Sequence, residues 1–202
     1  MTIVVKVWSD FVCPFCLIAE QPLRQAIAAV DGDVTLQWMP FELRPAPTPT
    51  LRPEDDYLQT IWAQSVLPLA AAHGVPLQLP SVSPQPHTAL AWEGFQFAAQ
   101  HGLGNAYNDA VLAAFFQQNR DIGQIEVLAD IAKQIGLDAD AFSAALRDRH
   151  FQQAHQQALE QAEVEGVTSV PTMHIGGRRL RGVQPQDRLI AALFEAGARP
   201  RG

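Results

Sequence analysis

Ile3-Val4-Val5-Lys6-Val7-Trp8 runs into Ser9-Asp10-Phe11-Val12 and then into Cys13-Pro14-Phe15-Cys16. The first six residues are a nearly continuous apolar run of strand length, as expected of a strand covered on both faces. The next four form a loop and the last four open a helix. Pro14 suits a first helical turn, because it has no N–H to lose and its φ is already helical. The chain has two cysteines, and both are here. Two thiols at this spacing, between a strand and a helix, read as a redox pair in which one attacks and the other resolves. At the helix N-cap, unpaired backbone N–H groups and the positive end of the dipole face Cys13 and favour its thiolate. Cys16 lies nearly one turn further on, within reach of a mixed disulfide formed at Cys13. The reading expects Cys13 to be solvent-exposed. Burial of both sulfurs away from solvent, or a metal ion pinning them, would end that reading.

The 202 residues fit one large domain or a domain with an insertion, enough for a core that needs no disulfide staple. Net charge is −7, and the basic cluster Arg178-Arg179-Leu180-Arg181 reads as a solvated hairpin edge, so nucleic acid is not an expected partner. No stretch is long and apolar enough to span a bilayer, so no membrane partner is expected either. Met1-Thr2-Ile3-Val4-Val5 contains no charged leader, apolar targeting segment or cleavage site, and the expected location is the cytoplasm. A permanent disulfide does not suit that reducing compartment, which favours a cycling dithiol over a staple.

Periodicity organises the rest. A helix after the cysteines carries Leu17, Ile18, Leu23, Ile27 and Val30 and is expected to kink at Pro22. A second strand covers residues 34–41, where Val34, Leu36 and Trp38 alternate with Thr35 and Gln37. The stretch Pro45-Ala46-Pro47-Thr48-Pro49-Thr50, with Pro53 beyond it, is a stiff linker. Helical periodicity then holds for about half the chain. The expected helices cover 54–72 (bent at Pro68), 87–100, 105–118, 125–135, 141–149 and 151–164, with a proline-rich loop at 75–86. The tail returns to β: a strand at 170–175, a Gly176-Gly177 turn, a partner strand at 178–181 with Leu180 inward, and a last helix from Gln184.

The order is β-α-β, a helical block, then α-β-β-α. In that order, and over the full chain, it resembles the DsbA-like oxidoreductases, with wording similar to the FrnE-type branch. The motifs that carry the resemblance are Ser9-Asp10-Phe11-Val12-Cys13-Pro14-Phe15-Cys16, Pro40-Phe41-Glu42-Leu43, Val127-Leu128-Ala129-Asp130 with Gly136-Leu137-Asp138, and Gly166-Val167-Thr168-Ser169-Val170-Pro171-Thr172. The resemblance implies an α/β thioredoxin fold with an inserted all-helical domain: residues 1–50 and 150–202 as its two halves, 51–149 as the insertion. It implies Cys13 as nucleophile and Cys16 as resolving thiol. It also implies a cis-proline facing the dithiol at Pro171, with Val170 offering its backbone to a substrate peptide that adds as a strand. Some FrnE-type proteins carry a second cysteine pair; this chain has none, so one redox centre is expected.

The activity implied is a protein dithiol–disulfide oxidoreductase or isomerase acting on protein, peptide or small thiols. It needs no cofactor beyond the Cys13–Cys16 disulfide, with glutathione as a possible co-substrate. Phe15 is expected exposed beside the nucleophile as part of the substrate-binding surface, and Trp8 buried in the core. Lys6, partnered by Glu42, is a candidate base for Cys16, against the plainer reading of a lysine reaching solvent. His174 is expected on the surface. A zinc site is not expected, because the six histidines are scattered without paired ligand spacing. Two other readings stay open. The first is a glutathione-dependent isomerase or kappa-type transferase, which the intact cysteine pair disfavours. The second is a non-catalytic peptide-binding module, with the 75–86 loop bordering an apolar groove.

Overall fold

The structure is a computed structural model describing residues 2–201; Met1, part of the leader reading above, lies outside the described residues. The chain opens with β1 (Ile3–Ser9), α1 (Pro14–Ala29), the two-residue β2 (Val30–Asp31) and β3 (Val34–Pro40). Helices follow: α2 (Asp56–Ile61), α3 (Leu67–His73), α4 (Ala89–Gln100), α5 (Gly104–Phe116), α6 (Ile125–Gln134), α7 (Ala139–Arg147) and α8 (Gln152–Val164). The tail adds β4 (Thr172–Ile175), β5 (Arg178–Arg181), α9 (Gln186–Glu195) and a short β6 (Arg199–Pro200).

The main sheet has the order β3-β1-β4-β5. The strand that leads to the cysteines is therefore central, parallel to β3 and antiparallel to β4. The pleat sends alternate side chains to opposite faces. Val5 and Val7 join Ile18 and Leu23 of α1 and Leu189 and Leu193 of α9 in the large core. Trp8 faces the other way, into a small cluster with Met39, Ala162 and Val167 beneath α8. Full burial of an aromatic this large stabilises the fold by about 2–3 kcal/mol. This is the α/β thioredoxin arrangement that the resemblance implied, with α2 to α7 falling between the sheet's two contributions.

Some local expectations are corrected. Val4 is 45 % exposed, so the first half of β1 is covered on one face only. The expected single helix at 54–72 is α2, a π-helical turn at 62–66, and α3. Pro68 stands in the first turn of α3, and the Leu67 N–H reaches back to the Trp62 carbonyl, so the wider turn takes up the proline. The pair β2–β6 had no signal in the alternation, being two residues long at each end. The 75–86 loop is tied to the helices by Gln78 N–H to Phe116 O and Ser81 N–H to Asn119 Oδ1, as a plain connector is.

Candidate active site

The turn between β1 and α1 is closed by its own backbone. The Cys13 N–H donates to the Asp10 carbonyl (3.0 Å), and the Cys16 N–H donates to the Cys13 carbonyl (3.1 Å). Cys13 is the N-cap of α1 with extended backbone angles, and Pro14 follows in the first turn. No side chain caps that terminus, so its N–H groups and the helix dipole face the Cys13 end. The thiol of Cys13 lies 3.9 Å from the Val170 carbonyl and donates toward it. The Val170–Pro171 peptide bond is cis. Residues 13, 16, 170 and 171 thus come together at the C-terminal end of the central strand.

Exposure does not match expectation. Cys13 is 4 % exposed and Cys16 3 %. Phe15 is half-buried and packs against the large core instead of standing free in solvent. The cause is tertiary: the short side chain at the helix N-cap faces the backbone of Val170, 157 residues along the chain. The expectation of a solvent-exposed Cys13 is therefore not met. The two thiols are free. Burial pushes the Cys16 thiol well above its ordinary value, and the neighbouring Cys13 adds to this. The Asp10 backbone and the Ser9 hydroxyl pull the other way. Ser9 Oγ has no partner in hydrogen-bond geometry, so its pull is slight.

The candidate bases are engaged elsewhere. Lys6 Nζ pairs with Glu165 Oε1 at 2.6 Å with its side chain part-exposed, so it does not partner Glu42. Glu42 Oε1 instead meets His155 Nε2 at 2.6 Å. His174, expected on the surface, is half-buried: its Nδ1 lies 2.9 Å from Glu165 Oε2 and its ring lies over Trp8 at 4.5 Å. Cross-strand pairing explains this, since Lys6 lies opposite His174 and both side chains meet α8's C-terminal acid. Trp8 is fully buried, as expected.

The sequence reading passed over Asp10. It is fully buried, and burial raises its carboxyl to about 6 against the pull of the Leu43 amide and the Thr88 hydroxyl. Oδ2 accepts from the Leu43 N–H at 2.8 Å, and Oδ1 has no partner. An acid flanked by Trp8, Phe11 and Val12, just before the cysteines, was the available signal. Among the described residues no set of three His, Cys, Asp or Glu side chains is arranged to hold a metal ion.

Comparison with known proteins gives three concordant findings. Residues 4–194 match the family described as DSBA-like thioredoxin domain. The uncharacterized protein YwbO of Bacillus subtilis (strain 168) is 43 % identical over 197 residues, covering 96 % of this chain and 98 % of that protein. Among solved structures, a probable DsbA oxidoreductase, SCO1869 from Streptomyces coelicolor, superposes with a TM-score of 0.81 at 24 % identity, covering 96 % of this chain and 89 % of the other. The cytosolic disulfide reductase DsbM from Pseudomonas aeruginosa, solved with GSH, gives 0.67 at 20 % identity over 96 % and 95 %. At these identities the two structures establish the fold.

Proposed function

This chain belongs to the DSBA-like thioredoxin domain family, and on that footing we propose that it is a dithiol–disulfide oxidoreductase in which Cys13 attacks and Cys16 resolves. The observation that carries the reading is the approach of the Cys13 thiol to the Val170 carbonyl, beside Pro171 and one turn from Cys16. An extended substrate that pairs with the Val170 backbone brings its own disulfide to Cys13.

In the first step the Cys13 thiolate attacks one sulfur of the substrate disulfide. A Cys13–substrate disulfide forms and the other substrate sulfur leaves as thiolate. Cys16 then loses its proton and attacks the Cys13 sulfur. The Cys13–Cys16 disulfide forms, the second substrate sulfur is released, and the substrate has gained two electrons. With the Cys16 thiol pushed up by burial, and with Lys6 and Glu42 both paired, the thiolate released in the first step is the base that takes the Cys16 proton. Two equivalents of a small thiol such as glutathione return the enzyme to the dithiol, the first forming a mixed disulfide and the second leaving with it as the small thiol's own disulfide; run backwards, the same steps oxidise a substrate. We place the activity in the cytoplasm, on protein, peptide or small thiols. No helix among the described residues is long and apolar enough to cross a membrane.

The test is a pair of variants. Cys13→Ser should lower insulin disulfide reduction at least about a hundredfold. Cys16→Ala should accumulate mixed disulfides that a reductant releases. Unchanged insulin reduction by Cys13→Ser overturns the proposal.

A further inference from the structure

One face of α8 lines a cavity of about 600 Å³, closed on the other side by Phe41, Glu42 and the chain at residues 45–46. Its floor is apolar and is shared with the redox centre. Phe41, Ala162 and Val167 belong to the small cluster that also holds Trp8 and Val170, and the Val170 carbonyl is the group that faces Cys13.

The polar lining comprises Glu42, Arg149, Gln152, His155, Gln156, Glu160 and Glu163, and its unpaired charges are negative. Glu160 and Glu163, one turn apart on α8, line it and are exposed, and among the described residues neither forms an ion pair. Arg149 also lines it, but its Nε and terminal nitrogen are committed to the fully buried Glu93 by three hydrogen bonds of 2.6–3.1 Å. At the inner wall the side chains of His155 and Glu42 are 5 % and 7 % exposed. Glu42 Oε1 meets His155 Nε2 at 2.6 Å. Nδ1 is buried without a hydrogen-bond partner. A buried polar atom without a partner stands at a net penalty until one reaches it. Two free carboxylates on the rim select for positive charge, and the overall charge of −7 acts in the same sense.

We propose that this cavity is a specificity subsite beside the redox centre and receives a basic side chain, lysine or arginine, of a disulfide-bearing polypeptide. The aliphatic stem lies along Phe41, Leu159 and Val167 and the cationic head meets Glu160 and Glu163. A cavity of this size admits the side chain together with part of its backbone. The inference rests on the oxidoreductase reading.

The experiment uses the full chain and cysteinyl peptides in disulfide linkage with a chromophoric thiol, carrying Lys, Gln or Glu at each of the four positions on either side of the cysteine. Wild-type exchange with the uncharged hydroxyethyl disulfide is measured in parallel. At one position or more, kcat/KM for the Lys peptide should exceed that for the Glu peptide by about five- to tenfold at low salt, expressed mainly in KM, and the ratio should shrink as salt is added. In the Glu160→Gln/Glu163→Gln double variant, whose substitutions lie on an exposed helix face, the ratio should fall to within about twofold. A ratio near one at every position in the wild type, or a ratio the double variant leaves unchanged, overturns the subsite. Loss of wild-type exchange with every disulfide, the uncharged one included, overturns the oxidoreductase reading instead.

Discussion

Asp10 carries its proton more tightly in the folded chain than in the unfolded one, because burial strips its carboxylate of water and the Glu42 charge adds to this, against the weaker pull of Leu43, Thr88 and the Phe11 backbone. A raised carboxyl stabilises the fold below its unfolded value, and that contribution is lost as pH climbs through about 6. Asp10→Asn keeps an acceptor for the Leu43 N–H and removes the charge. It should raise the unfolding free energy by roughly 1–3 kcal/mol at pH 8, with the gain shrinking as pH falls and vanishing only below about pH 4, as read by urea denaturation across that range. At the cysteines, the thiol pushed up by burial is Cys16. A small alkylating agent added to the reduced protein at pH 7 should therefore label Cys13 at least about tenfold faster than Cys16, as read by peptide mass. The pair, its spacing and the position of Pro171 were legible in the sequence, because each is a residue type with a narrow set of uses. The burial of Cys13 was not. It depends on a backbone carbonyl contributed from 157 residues away. The pairing of Lys6 with Glu165 was hidden for the same reason: the acid is supplied by a helix end that no local pattern places beside β1.

At the scale of the elements, most starts and stops followed from residues present in the chain. Asp138 caps α7 by accepting from the N–H groups of Asp140 and Ala141, both at 3.0 Å. Asp138→Ala should cost about 1 kcal/mol, seen as a lower denaturation midpoint with an unchanged slope. Gly94 reflects a constraint that periodicity does not register. A methyl group there would overlap the Tyr107 hydroxyl and lie 2.6 Å from the Phe142 ring, at the crossing of α4 with α5 and α7. Gly94→Ala should destabilise the protein by about 1–3 kcal/mol despite its better helix propensity, measured by thermal or chemical denaturation. The π-helical turn before Pro68 was illegible in detail, since a proline marks where regular bonding fails and not how the neighbours re-form it.

Over the whole molecule, two buried acids set the pH response. Glu20 on α1 accepts from Asn108 of α5 at 2.7 Å, and burial with the nearby Asp109 raises it to about 7. Its sign is that of Asp10: stabilisation is full below the unfolded carboxyl value and is lost as pH passes through about 7. Glu165, held low by Lys6 and His174, acts in the opposite sense, but only as pH drops below the ordinary carboxyl range. The unfolding free energy should therefore decline by roughly 1–3 kcal/mol between pH 5.5 and pH 8, and denaturant midpoints across that interval would measure it. The element order showed that the sheet is assembled from both ends of the chain, though not how the helices seat against it, because side-chain contacts between distant segments set that. The contact between residues 13 and 170 also has a temporal consequence. During synthesis the Cys13 thiol precedes Val170 by 157 residues, so the nascent polypeptide carries Cys13 without the carbonyl that faces it until that later segment has been made.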